Sequence, residues 1–419
     1  MSQNHKPGFI QVFEFDTLIV DEETFTASQL NALEIYHEKN GKRYFDLARN
    51  GVRFKEYVGA IKVGSLHIEV LPKADKASDD KKVWQDVLVG MLRKVHGFEA
   101  HVTSNSSLKL HPNAVFELYY EMFVNEVELL IHKGLVKRYR KIEGNQNALK
   151  GSLQFGKHLT MNLTHQERFY VRYTTYDRNN QYNQVLRKTL SVLQKFNTKP
   201  VLQSRINGLL LNFPELPDIR VDESFFEKLA INRKTEGYRK ALGISKLILL
   251  NYHPDLSKGR NDVLALMFDM NLLWEKYVFT CLKKAGLQHD ITISQQASRG
   301  FWEGGNRIKT IRPDVVIESG TNTIILDTKW KLHSKGEPAD SDLKQIFAYN
   351  HYWKANKGFL VYPGEPDSLS GHFYDLETQS IPPEKGTYQA GQMWVSVVDE
   401  EKKLDTELGV NILKNLELL

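Results

Sequence analysis

The stretch Ile311 to Lys331, IRPDVVIESGTNTIILDTKWK, admits few folds. Two β-branched runs, Val315 to Ile317 and Thr323 to Leu326, flank Gly320, Thr321 and Asn322, which is strand, turn and strand by composition. A loop centred on Gly320 and Thr321 sets Asp314 opposite Asp327, with Cβ atoms roughly 5 Å apart. Like charges facing across a ladder destabilise a sheet unless a cation lies between them, and hard divalent cations take carboxylate oxygens. Lys329 follows Asp327 by two residues, so the strand period returns its ammonium to the same face, while Thr328 and Trp330 point away. An ammonium there can orient a water or stabilise charge at phosphorus. The residues leave two readings open, a solvated hairpin and a metal-dependent catalytic site. Spacing, strand order and facing together favour the second.

Pro313-Asp314 followed by Asp327-Thr328-Lys329 resembles the PD-(D/E)xK motif of restriction-endonuclease-like nucleases. That resemblance implies magnesium-dependent phosphodiester hydrolysis, with manganese as a substitute. Asp314 and Asp327 would bind the metal, the Thr328 carbonyl would add a ligand, and Lys329 would assist the attacking water. Downstream, DLKQIFAYNHYW places Gln345 and Tyr349 four apart on one helix face. The pair resembles the Q-x-x-x-Y element of the RecB-like branch of these nucleases, which implies nucleic-acid contact. Upstream, FDMNLLWEKYVFTCLKKAG reads as a helix with an apolar stripe through Met270, Leu273, Trp274, Tyr277, Cys281 and Leu282, stopped at Gly286. Glu275 lies at the edge of that stripe. Nucleases of this fold often add a helical acid to the metal site, so Glu275 is a further ligand candidate; a solvated helix-edge acid is the other reading.

The string DMNLLWEKYV also resembles the opening of the nuclease domain in the McrC family, the cleavage subunits of McrBC modified-DNA restriction systems. So do EYVGAIKVGSLHIEVLPKAD, ALKGSLQFGKHL, YDRNNQYNQVLRKTL and GYRKALGISKLILLN, in family order from about residue 50 to 365. Residues 1 to 45 and 370 to 419 match poorly. The resemblance implies a partner, an McrB-like AAA+ GTPase ring that recognises modified duplex DNA, such as DNA carrying 5-methylcytosine, and translocates it. The chain would contact that ring through its amino-terminal part, with the segment around residues 50 to 75 as the candidate, stimulate nucleotide hydrolysis and supply the cut. No G-x-x-x-x-G-K-[ST] phosphate loop occurs in the sequence, so a motor has to come from elsewhere.

The expected fold class is mixed α/β in three parts. A β-rich module occupies 1–110, a mainly helical region 111–258, and an α/β domain of the restriction-endonuclease-like type 259–419. In the first, Gly59 to Val63 and Leu66 to Leu71 flank Gly64-Ser65 as a two-residue hairpin loop. Helical spacing marks Val83 to Phe98, Asn113 to Lys133, Gln181 to Phe196 and Tyr238 to Leu250, with Gly97 and Gly134 as stops. Gly358 to Tyr362 reads as a buried strand ended by Pro363.

A single cysteine, Cys281, within an apolar stripe excludes a disulfide framework and a zinc cluster. No apolar run reaches about 18 residues, so no membrane span is expected and the cytoplasm is the default compartment. The net charge of +5 permits DNA binding without demanding it. Its densest cluster is Lys137, Arg138, Arg140 and Lys141 around Tyr139, either a phosphate-contacting surface or a solvated face. Two rival functions remain open: an autonomous repair nuclease, and a non-catalytic regulator of an NTPase.

Overall fold

The computed structural model describes residues 8–39, 41–73, 80–96, 114–254, 261–305, 307–331, 337–374 and 389–419. Helices and sheets are mixed throughout. The chain packs as two compact units, one of residues 1–114, 255–263 and 267–419, the other of 115–254 and 264–266. The β-rich amino-terminal part and the region after residue 267 therefore share a unit. Periodicity reveals element type, whereas grouping depends on which elements bury one another.

In the first unit, strands Tyr57–Val63 and Leu66–Leu71 pair with Val63 opposite Leu66 and Ile61 opposite Ile68. Gly64 takes φ 58° in the two-residue turn, a conformation glycine adopts without strain. Strand Phe9–Phe13, from the amino-terminal segment that carried no sequence signal, adds in parallel to Leu66–Leu71. Helix Lys81–Val95, capped by Asp80 accepting from Lys82 N at 3.0 Å, packs against Leu66–Leu71 and sends Gln85 to the buried Glu69 carboxylate. The expected stop at Gly97 lies outside the described residues.

A six-stranded sheet carries the candidate site, in the order Thr292–Gln295, Val315–Ser319, Asn322–Thr328, Lys357–Pro363, Gln389–Val395 and Asp367–His372. Its Val315–Ser319 hairpin has the expected register, Val315 opposite Leu326 and Ser319 opposite Asn322. Asn322–Thr328 and Lys357–Pro363 run parallel, joined through helix Asp340–Trp353. That helix lays Ile346, Tyr349 and Trp353 against Val316, Ile325 and Leu360. Two elements come from the tail that carried no signal: strand Gln389–Val395 lies inside this sheet, and helix Leu408–Asn415 packs on helix Met270–Gln288.

Gly286 does not end its helix, which continues to Gln288. A Cβ there would lie 2.7 Å from the Ile291 carbonyl and 2.9 Å from the Ile293 side chain, so this glycine lets the following strand close in.

The end of the first strand is tied to the residue beside Lys329. Glu14 Oε1 accepts from Trp330 Nε1 at 2.7 Å and from Lys73 N at 3.0 Å. Burial pushes the Glu14 carboxyl up to about 7, against the pull of the Lys73 and Trp330 bonds. Between the unfolded value near 4.5 and this folded value the native state binds the extra proton, so stability falls as pH rises through that window. Glu14→Gln keeps an acceptor for both donors and removes the charge. It is expected to match wild type below pH 4.5 and to exceed it above pH 7 by up to about 3 kcal/mol. Urea unfolding at both ends of the range checks this; parallel shifts at the two pH values would contradict it.

The second unit contains helices Gln181–Phe196, Pro200–Asn212 and Arg239–Leu250 and most of Ala114–Lys133. It also holds a three-stranded sheet, Arg138–Gln146, Phe169–Asp177 and Ser152–Leu153, which the mainly helical expectation did not contain. Along Arg138–Gln146 no residue is fully buried, so no apolar alternation marks the strand. Tyr252–His253 form a short strand after helix Arg239–Leu250.

Candidate active site

The hairpin brings its acids and ammonium together at the end of the ladder. The last paired residue is Val315, the residue after Asp314, and Asp327 lies on the neighbouring strand, paired with Leu360 of the parallel strand on its other side. Asp327 is 2% exposed, which is rare for a carboxylate without a strong partner. Its Oδ2 lies 2.7 Å from Lys329 Nζ, and that ammonium is also 3.9 Å from Asp342 Oδ1 on helix Asp340–Trp353. Its Oδ1 accepts from Gln345 Nε2 at 3.3 Å.

Asp314 Oδ2 accepts from the Thr328 amide at 2.7 Å and from its hydroxyl at 2.8 Å. Thr328 does not simply point away, as strand alternation suggested; it turns its hydroxyl onto Asp314 and holds that carboxylate beside Asp327. The Trp330 ring does turn away, meeting the Trp274 ring edge to face at 5.4 Å. Lys329 N donates to the Val361 carbonyl at 2.9 Å, which keeps the residue on the parallel ladder.

The acids sense one another. Burial first, then the charge of Asp314, pushes the Asp327 carboxyl up to about 6. The same two causes raise Glu275 on helix Met270–Gln288. Burial lowers the Lys329 ammonium, but Asp327, Asp342 and Asp314 outweigh it and hold the proton on.

Like-charge crowding of this kind is what a hard divalent cation relieves. Among the described residues no three His, Cys, Asp or Glu side chains are placed to hold a metal ion. Glu275 is drawn into the field of the site without joining a ligand set: its Oε1 accepts from Gln296 Nε2 at 2.7 Å and Gln295 Nε2 at 3.3 Å. Two carboxylates suffice for magnesium, which binds through one or two and keeps several waters. Asp314 and Asp327 fit that requirement.

Gln345 and Tyr349 are tied into the fold beside the acid pair. Tyr349 is 5% exposed, its ring packed in the core under the sheet. Its hydroxyl accepts from Gln345 Nε2 at 2.7 Å and donates to the Arg312 carbonyl at 3.0 Å. The pair thus links the turn before Asp314 to Asp327. A four-residue helical spacing shows that two side chains are neighbours and is silent on whether they face solvent.

The basic run Lys137 to Lys141 lies in the other unit and is split by strand alternation. Arg138 stacks on the Tyr182 ring at 4.5 Å, and Arg140 pairs with Asp177 at 2.9 Å. Lys137 and Lys141 are exposed, as is Tyr139, whose ring lies 4.7 Å from Tyr176. Two of the four cations are therefore engaged within the fold. Gln295, Gln296, Arg312 and Asp342, which complete the site, carried no sequence motif that could have singled them out.

A family model described as "McrBC 5-methylcytosine restriction system component" matches residues 52–363. The fold is similar to a chain in a structure of a tetradecameric assembly of Thermococcus gammatolerans McrB AAA+ hexamers with bound McrC, with a TM-score of 0.67 at 17% identity over 98% of this chain and 99% of that one. A chain of the cryo-EM structure of the Thermococcus gammatolerans McrBC complex matches at 18% identity and a TM-score of 0.48, over 66% of this chain and 87% of that one. No curated protein sequence matches.

Proposed function

From the premise that this chain belongs to the McrBC restriction-system family, we propose that it is the McrC-like cleavage subunit, a magnesium-dependent endonuclease acting on modified duplex DNA with an AAA+ GTPase partner. The observation that carries the reading is the crowding of Asp314 and Asp327 beside Lys329 at the end of one hairpin. Magnesium, or manganese in its place, would be held by Asp314 and Asp327 with the Thr328 carbonyl, and when bound supplies Lewis-acid stabilisation of charge on the phosphate.

The chain's own residues do the rest. Thr328 aims the Asp314 carboxylate through its amide and hydroxyl. Gln345 and Lys329 orient Asp327 from its two oxygens. The Lys329 ammonium can orient the attacking water and offset negative charge as the phosphorus becomes five-coordinate. Glu275, held by two glutamine amides, adds to the negative potential that favours a cation.

A surface suited to the motor is better sought in the second unit than at residues 50 to 75. The Tyr57–Val63 and Leu66–Leu71 strands are buried along almost their whole length. By contrast Phe155, Leu159, Met161, Leu163, Tyr139 and Tyr176 all expose more than half of their surface, and helix Phe155–Met161 buries no residue. Four apolar side chains exposed between Phe155 and Leu163 are what a protein interaction site presents.

The function is tested by incubating methylated and unmethylated plasmid with magnesium and the chain, with and without an McrB-like AAA+ protein from the same genome and GTP or ATP. Cutting that requires methylation, motor and nucleotide is expected. Cutting by the chain alone would favour an autonomous nuclease, and stimulated nucleotide hydrolysis with no cutting would favour a regulator. In the same assay, Phe155→Asp with Leu159→Asp is expected to reduce motor stimulation at least about tenfold, the loss that follows from removing a pair of apolar contacts worth over 1 kcal/mol.

A further inference from the structure

Between the edge strand Thr292–Gln295 and Asp314 the chain makes an excursion that the cleavage chemistry does not use. Strands Arg299–Gly304 and Arg307–Ile311 pair as an antiparallel ribbon, Gly304 opposite Arg307 and Arg299 opposite Ile311. Nearly every residue of both is exposed. A two-stranded ribbon that buries no face is marginal in water, so its large side chains are not there to form a core. Trp302 is 54% exposed, Phe301 49% and Ile308 65%.

The ribbon is also basic. Residues 299–312 contain Arg299, Arg307, Lys309 and Arg312 against the single acid Glu303. Arg299 is spent on anchoring, with its guanidinium 4.8 Å over the Trp353 ring and bonded to the Tyr352 carbonyl. Arg307, Lys309 and Arg312 form no ion pair among the described residues. A bulge at Phe301 divides the aromatic pair: the Phe301 ring lies 5.8 Å from Tyr352, whereas Trp302 stands opposite Lys309, whose Nζ is 6.0 Å from the indole. The indole lies over Gly304, where any side chain would collide with it.

Both roots of the ribbon are fixed to the acid centre. Gln296 N donates to the Asp314 carbonyl at 3.0 Å and its Nε2 to Glu275 at 2.7 Å, while the Arg312 carbonyl accepts from Tyr349 at 3.0 Å. Whatever the ribbon grips is thereby held next to Asp314 and Asp327. A polyanion brought to a group of carboxylates needs cations close by to offset the repulsion, and a two-stranded ribbon has the width of the major groove.

We propose that this ribbon is a DNA-gripping arm that binds the duplex beside the scissile phosphate, with Arg307, Lys309 and Arg312 on phosphates and Trp302 against a sugar or base. The proposal rests on the cleavage reading for its position and on the ribbon's own charge for its ligand. At about 3.3 Å per residue the arm reaches roughly 20 Å, enough to follow several base pairs.

The test uses the full chain and a fluorescein-labelled duplex in EDTA, with anisotropy read over a salt series. Arg307→Ala with Lys309→Ala is expected to weaken binding at least about tenfold and to flatten the plot of log affinity against log salt by about 2. Trp302→Ala is expected to weaken binding about fivefold or more without changing the slope. Because the altered residues are exposed, thermal midpoints should stay at the wild-type value. Wild-type affinity and slope in the double variant, or no duplex binding by wild type at low salt, overturns the arm. So does retained duplex affinity with lost assembly on the AAA+ protein, which would make the ribbon a protein-docking surface. Asp314→Asn keeps the two readings apart: with one repelling charge removed it should bind duplex in EDTA at least as tightly as wild type and fail to cut in magnesium, and if it cuts normally the cleavage reading fails while the binding arms still decide the ribbon.

Discussion

Asp314→Asn is expected to lower plasmid cleavage by about 10³-fold, the upper end of what removal of one electrostatic stabiliser costs an enzyme. The substitution is nearly silent for the fold. Both Thr328 donors converge on Asp314 Oδ2, and an asparagine carbonyl can accept from both in the same position. The lost charge is one that raises Asp327 and Glu275, so its removal relieves repulsion in the metal-free protein. Thermal unfolding without metal should therefore give a midpoint equal to or above that of wild type. Metal-dependent stabilisation, read by titrating magnesium during the same melt, should disappear. Normal cutting by this variant would remove Asp314 from the chemistry. Unfolding of the variant would mean that the carboxylate is structural. Lys329→Ala is a less clean probe, because it leaves the buried Asp327 charge without its 2.7 Å counter-ion.

Trp274→Ala is expected to destabilise the first unit by about 3–5 kcal/mol. Trp274 has no exposed surface and contacts the Trp330 ring at 5.4 Å and the Tyr277 ring at 6.1 Å. Its Nε1 points at the Val361 carbonyl, the same oxygen that accepts from Lys329 N. The cavity left by alanine would open directly behind the strand that presents Asp327 and Lys329. A loss of this size is comparable to the whole stability of a small domain, so the variant should melt far below wild type and be cut readily by protease. Trp274→Phe, which retains most of the buried volume, should lose much less. A destabilisation under about 1 kcal/mol would show that the surrounding rings collapse into the space.

The hairpin was readable because its information is local. β-branched runs, a glycine turn and a period of two are enough to set one strand against its neighbour, and they gave the register that places Asp314 and Asp327 at one end. The amphipathic helices were readable for the same reason, since a stripe at helical spacing is a property of the segment itself. Strand Gln389–Val395 was not. It pairs with Lys357–Pro363, far away in the chain, and Gly391 sits under the Phe359 ring where a Cβ cannot fit, so the residue that weakens its strand signal is the one the packing requires.

Side-chain orientation was also beyond the sequence. Nothing in Q-x-x-x-Y says that Tyr349 is buried and bonded to the Arg312 carbonyl, and nothing in a basic run says that Arg138 and Arg140 turn onto Tyr182 and Asp177 while Lys137 and Lys141 face solvent. The sequence by itself determined the short-range facts: which residues are acids, which segments alternate, and which hairpin carries two carboxylates and a lysine. Only the tertiary structure decided which of those groups share a field, which polar side chains are spent on holding them, and which cations stay free. Charge interaction and burial depend on distances between segments, and those distances exist only once the segments have packed.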